Sequence, residues 1–172
     1  MGTVNGLPAH ILLVHAIVVL LPLAALLLVL TAVWPALRHR LAGPNAVLSV
    51  VVVALVPVTT SAGEWLEHRV GETPLLRDHT DLGDTAIWVA LPVAALALII
   101  WWRQRETTGA APQRRTLLAP ASVAITRIVA ALAIVVAGVA VYDTYLIGDS
   151  GAKASWTGNF DSTARPEGPD GD

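Results

Sequence analysis

LPAHILLVHAIVVLLPLAALLLVLTAVW, residues 7–34, is the stretch whose reading decides the fold. From Ile11 to Trp34 its only ionisable side chain is His15. At about 1.5 Å per residue the run can cross a hydrocarbon layer of about 30 Å with some tilt. A spanning segment must satisfy its own backbone hydrogen bonds, so the run reads as a transmembrane helix. No Lys or Arg precedes it, and it is too long for a signal-peptide core. It is therefore expected to be retained rather than cleaved.

Three more apolar runs follow, and the four lie at about residues 8–34, 46–66, 80–102 and 118–147. Charged residues make up 14% of the chain, against about 25% in soluble proteins, which points to membrane. The fold expected is an all-α, integral membrane four-helix bundle over residues 1–150. Residues 151–172 form a polar tail expected to be disordered, because Gly, Pro, Ser, Thr and Asp dominate it. Pro22, Pro57 and Pro92 fall in the middle of the first three runs, where membrane helices tolerate them as kinks.

Several functions are excluded early. The chain has no Cys, so disulfides, thiolate zinc sites and Cys-ligated iron–sulfur clusters are ruled out. A net charge of −2 and the lack of a basic–aromatic pattern give no case for nucleic acid. No phosphate-binding loop or nucleophile–base spacing marks an enzyme, so an accessory or carrier role is expected.

Charge sets the expected orientation. The Pro35–Pro44 link, with Asn45 as an expected helix cap, and the Arg103–Thr116 link carry Arg38, Arg40, Arg103, Arg105, Arg114 and Arg115. By the positive-inside rule both face the cytoplasm, and both termini are extracytoplasmic. Trp34, Trp101 and Trp102 fall at the inner ends, and Trp65, Tyr142 and Tyr145 at the outer ends, as interfacial belts do. Arg127 is read as snorkelling to the inner interface. On the fourth helix, Thr126, Ala130, Ala133, Ala137 and Ala140 form a narrow small-residue face that suits close approach of a helix, within the bundle or in a homo-oligomer.

With that topology four of five histidines converge on the outer face: His10 and His15, His68 beside Glu64, and His79 near Asp81 and Asp84. Glu64 and His68 share a helix face by their i,i+4 spacing. His10 and His15 are about 140° apart round a helix and cannot easily serve one site. His15 lies about 7 Å deeper and is expected to be the interior group, with His10 at the interface. Three readings remain open. In the first, His15 and His79 are axial ligands of a b-type haem, with His68 able to replace either and Glu64 or His68 tuning from outside. In the second, His15, Glu64, His68 and His79 bind a bare zinc, iron or copper ion. In the third, the cluster is a hydrogen-bonded rim of a structural or assembly subunit.

Gly6-Leu-Pro-Ala-His-Ile-Leu-Leu-Val-His15 and Leu21-Pro22, together with Ser61-Ala-Gly-Glu64, Arg77-Asp-His-Thr-Asp-Leu-Gly83 and Gly148-Asp-Ser-Gly-Ala-Lys-Ala-Ser-Trp156, resemble the signatures of a family of small four-helix bacterial membrane proteins. That family is a domain of unknown function with a His-Pro-x-x-Val-His opening. Ile11 here stands where the family has proline, Ala16-Ile17 where it has Phe-Pro, and Asp149 where many relatives have histidine. The resemblance implies a bacterial cytoplasmic membrane location. Relatives joined to Rieske or cytochrome c domains imply electron transfer at the outer face. Quinone, a Rieske or cytochrome c-type carrier, or a respiratory complex are then the expected partners. No catalytic residue is implied.

Overall fold

The computed structural model describes residues 2–108, 122–160 and 163. A short hairpin comes first, β1 (Thr3–Val4) and β2 (Leu7–Pro8), with Thr3 opposite Pro8 and Val4 opposite Leu7. Asn5 and Gly6 hold φ of 51° and 82°, the left-handed pair that a two-residue hairpin turn requires. Among the described residues five helices follow: α1 (Ala9–Val33), α2 (Pro35–Glu67), α3 (Pro74–Gly83), α4 (Ala86–Thr108) and α5 (Val123–Trp156). Ala9–Val33, Pro35–Glu67, Pro74–Thr107 and Val123–Trp156 are each long and apolar enough to cross a membrane. The protein is an integral membrane four-helix bundle.

α1 lies against α2 and α5, α4 lies against the same two helices, and α3 rests on α5. Successive spans run antiparallel: His10 at the start of α1 meets Thr59 late in α2, and Thr85 and Arg103 meet Asp143 and Thr126 of α5 in reversed order. The starts of α1 and α3 and the ends of α2 and α5 therefore meet at one end, here termed the histidine end. The start of α2, the end of α4 and the start of α5 form the opposite, arginine end.

Buried positions on each span alternate at three and four residues. They are Ile17, Leu21, Ala24 and Leu28 on α1, and Ala42, Asn45, Ser49, Val52, Val56 and Thr59 on α2. On α4 they are Ala86, Ala90, Val93, Ala97 and Ile100, and on α5 Ala133, Ala137, Ala140 and Thr144. That spacing is the seam of left-handed helix packing. Lipid supplies no hydrophobic drive between helices, so the seam is built from small residues that let backbones approach. The alanine face read on the fourth helix is part of this seam. Val19, Leu26, Val33, Ile134 and Val135 point away from it and are exposed to lipid.

The elements differ in detail from the expected ones. The Pro35–Pro44 link is not a loop: it is the first part of α2, and only Trp34 separates α1 from α2. Pro35 occupies the first turn, where its missing N–H costs nothing. Arg38 closes the joint, its Nε donating to the Thr31 carbonyl at 2.7 Å and its Nη2 to that of Ala32. Asn45 is thus no helix cap. It is fully buried inside α2. With its amide nitrogen turned towards α1, it donates to the Ala24 carbonyl and accepts from the Leu28 N–H, both at 3.2 Å. The third run divides into α3 and α4 at Asp84-Thr85. Thr73 caps α3 by accepting the Leu76 N–H at 3.1 Å. α5 runs on to Trp156, beyond the expected end near 147. Residues 118–121 of the fourth run, and most of the tail from 161 onward, lie outside the described residues.

Asn45→Ala removes two interhelical hydrogen bonds and leaves a void in the seam. In detergent it is expected to lower unfolding stability by about 1–2 kcal/mol, whereas Ser49→Ala, whose hydroxyl has no partner among the described residues, should change it by well under half as much. Thermal unfolding followed by circular dichroism measures both; equal effects would remove the special role of Asn45.

Candidate functional site

At the histidine end the rings of His10 and His79 face one another, with centroids 6.3 Å apart and planes at 72°. His10 stands on the buried seam of α1, one heptad before Ile17, and His79 stands on α3. The hairpin fixes the start of α1: the Ala9 N–H donates to the Gly2 carbonyl at 3.1 Å. Gly2 packs on the Trp65 indole so closely that a Cβ there would lie 2.4 Å from the ring. Arg69 covers Trp65, its guanidinium carbon 3.8 Å from the ring centre.

Each imidazole is held by one nitrogen. His10 Nδ1 lies 3.0 Å from the Thr59 carbonyl oxygen on α2. A carbonyl only accepts, so Nδ1 carries the proton. His79 Nδ1 lies 3.0 Å from Ser150 Oγ on α5. That hydroxyl already donates to the Ile147 carbonyl at 2.9 Å, so it accepts from His79. With Nδ1 as the donor, Nε2 is the nitrogen that carries the lone pair in the neutral form of such a ring. Tautomer and orientation are set by the partner of the other nitrogen, the arrangement typical of a ligating histidine.

Two glycines make room for the rings. A Cβ on Gly63 would sit 3.0 Å from His10 Nδ1, and one on Gly151 would sit 2.9 Å from His79 Cε1. Beneath the pair an apolar cavity of about 60 Å3 runs along α1 past Val14, Ile17 and Leu21 and is walled by Val56 and Thr144. Beside it, Thr85 Oγ1 donates to Asp143 Oδ1 at 2.8 Å and ties the start of α4 to α5.

The expected residues are only partly gathered. His79 is at the centre. His10, expected at the interface, is the packed partner. His15, expected in the interior, is exposed on the outside of α1, its Nδ1 bonded to the Ile11 carbonyl. The reason is rotational: the seam passes through His10 and Ile17, and His15 lies about 140° round from His10. Glu64 and His68 are also exposed, with His68 at the end of α2. Among the described residues no three His, Asp or Glu side chains lie together as a metal-binding group, so His15, Glu64, His68 and His79 are not brought together. Thr59, Gly63, Ser150 and Gly151 were not singled out as site residues. The glycines within Ser61–Glu64 and Gly148–Trp156 were the available signal.

No curated protein and no solved structure matches the chain. The family model for DUF2231, described as a predicted membrane protein, matches residues 6–164. The four apolar spans and this match across nearly the whole chain place it in the DUF2231 family of predicted membrane proteins.

Proposed function

We propose that the protein is a membrane redox accessory protein whose His10–His79 pair ligates one metal centre, a b-type haem iron, near one surface of the bilayer. The observation that carries this reading is the pair itself: two imidazoles from different helices, each anchored through Nδ1, with ring centroids 6.3 Å apart. Two metal–nitrogen bonds of about 2.0–2.1 Å plus roughly 1.1 Å from each nitrogen to its ring centre allow at most about 6.3 Å between two ligating rings, and the centroids are 6.3 Å apart. The apolar wall along α1 suits a cofactor held in a bundle core. His10 and His79 replace His15 and His79 as the proposed axial pair.

A haem held there supplies one-electron chemistry. The chain's own residues orient the donors: Thr59 and Ser150 keep both Nδ1 atoms protonated, Gly63 and Gly151 admit the rings, and the α1 wall excludes water. Volume favours a second reading. About 60 Å3 holds an ion and a few waters, whereas small-molecule pockets are about 300–1,000 Å3. A space of that size suits a bare transition-metal ion; a macrocycle needs more room than the cavity offers. The partners proposed are quinone, a Rieske or cytochrome c-type carrier, or a respiratory complex. The location proposed is the bacterial cytoplasmic membrane with the histidine end outward, supported by the arginines at the opposite end.

Absorption spectra of the detergent-purified protein, oxidised and then dithionite-reduced, test the haem. Sharp reduced α and Soret bands are expected, lost in His10→Ala and in His79→Ala and kept in His15→Ala. If no bands form with haem in supply, elemental analysis decides between a bare ion and a purely structural pair. Gly151→Ala pushes on the His79 ring and is expected to broaden or shift the bands, or to weaken ion binding at least threefold, without loss of helix content by circular dichroism.

Orientation has a clean test because the chain lacks Cys. Single Ser155→Cys and Arg40→Cys variants in intact cells should react oppositely with a membrane-impermeant maleimide, with Ser155→Cys labelled and Arg40→Cys protected. The reverse pattern would invert the topology.

A further inference from the structure

The arginine end holds a larger cavity than the histidine end, about 350 Å3. Arg38 of α2, Arg103 of α4 and Arg127 of α5 line it together with Ser122 and Thr126. Its lining is otherwise largely apolar and includes Ala32, Val123, Ile100 one helical turn deeper than Arg103, and Val129 just deeper than Arg127. No acidic residue is among the described residues that line it. Glu106 is on the same helix as Arg103 but does not line the cavity; it accepts the Trp102 Nε1–H at 2.8 Å. The ion pairs Glu72–Arg77 and Asp149–Lys153 lie at the other end.

Among the described residues that line the cavity, no carboxylate neutralises the three guanidiniums. Arg38 gives Nε and Nη2 to the Thr31 and Ala32 carbonyls. Arg103 gives Nη2 to Thr126 Oγ1 at 3.2 Å. These partners are neutral dipoles, so three positive charges face one space. The first turn of α5 begins in the same wall, and the Ser122 side chain makes no cap bond to it. The amide dipoles of that turn add further positive potential. Charge at membrane depth is costly unless it is compensated. A cavity lined by arginines, with apolar side chains deeper than Arg103 and Arg127, has the polarity profile of a phospholipid with its headgroup up and its acyl chains down.

We infer that this cavity is a binding site for the phosphodiester headgroup of an anionic phospholipid, held by Arg38, Arg103 and Arg127. Basic pockets between transmembrane helices take such headgroups elsewhere, and guanidinium forks match phosphate oxygens in pairs. The inference does not depend on the occupant of the histidine end. Lipid, rather than free phosphate, is the committed source because the apolar lining has no use in binding an inorganic ion.

The test titrates the detergent-purified full chain with phosphatidylglycerol, phosphatidylcholine and inorganic phosphate, reading thermal stability and lipid retention by native mass spectrometry. Phosphatidylglycerol is expected to raise the unfolding temperature and remain bound; the other two are expected to do neither. Arg127 is exposed, so Arg127→Gln should fold and lose about fivefold in apparent affinity, the equivalent of about 1 kcal/mol per basic residue. Arg127→Lys should retain most of it, and Arg69→Gln at the other end all of it. Equal stabilisation by phosphatidylcholine would overturn the inference, as would an unchanged Arg127→Gln or an equal loss in Arg69→Gln. A full effect from inorganic phosphate alone would overturn the lipid assignment.

Discussion

Close backbone approach between α1 and α2 is the constraint on which the bundle rests. Lipid tails are as apolar as leucine, so burying a methyl group between helices gains little over leaving it in the bilayer. Cohesion must come from contact and from polar groups that have no better partner. The seam supplies contact through Ala24, Ala25, Ala42 and Ala46, all nearly or fully buried. Asn45 supplies the polar element by bridging the Ala24 carbonyl and the Leu28 amide. An amide in lipid without such partners would be costly, so it also selects the register of α2 on α1.

That register decides the chemistry at the histidine end. Once Asn45 is set against Ala24 and Leu28, the seam leads up α1 to Ile17 and His10, and up α2 to Thr59 and Gly63. The Thr59 carbonyl and the notch at Gly63 then lie where the His10 ring arrives. α5 does the same for His79 through Ser150 and Gly151. The imidazole pair is thus a product of helix rotation rather than of depth.

This explains what the sequence could and could not reveal. Helix number and the pairing of helix ends follow from hydropathy, because lipid enforces spanning helices; of the expected histidines only His10 and His79 come together. The choice between His10 and His15 depends on which face of α1 turns inward. α1 is apolar on every side, so hydrophobic periodicity marks no face. The spacing His10, Val14, Ile17, Leu21, Ala24, Leu28 carries the missing information, but only with its three-four alternation matched to that of α2. In sequence, residues 35–44 resemble a link because Pro35 looks like a helix stop and Pro44-Asn45 like the next start. Pro35 instead begins a helix, and Pro44 is carried within α2 as Pro57 is. Ser150 and Gly151 were hidden by position: they follow the last apolar residue, where a helix no longer needs the membrane.

α5 spans 34 residues, about 51 Å of helix against roughly 30 Å of hydrocarbon. Like α2, which carries Arg38 and Thr59, it reaches both polar centres, with Thr126 near one tip and Ser150 near the other. A rod of that length and a seam of alanines leaves few ways to bend locally. A rigid-body tilt of α5 about Thr126 would displace Ser150, and with it the hydroxyl that holds His79. The two ends of the molecule share one mechanical part.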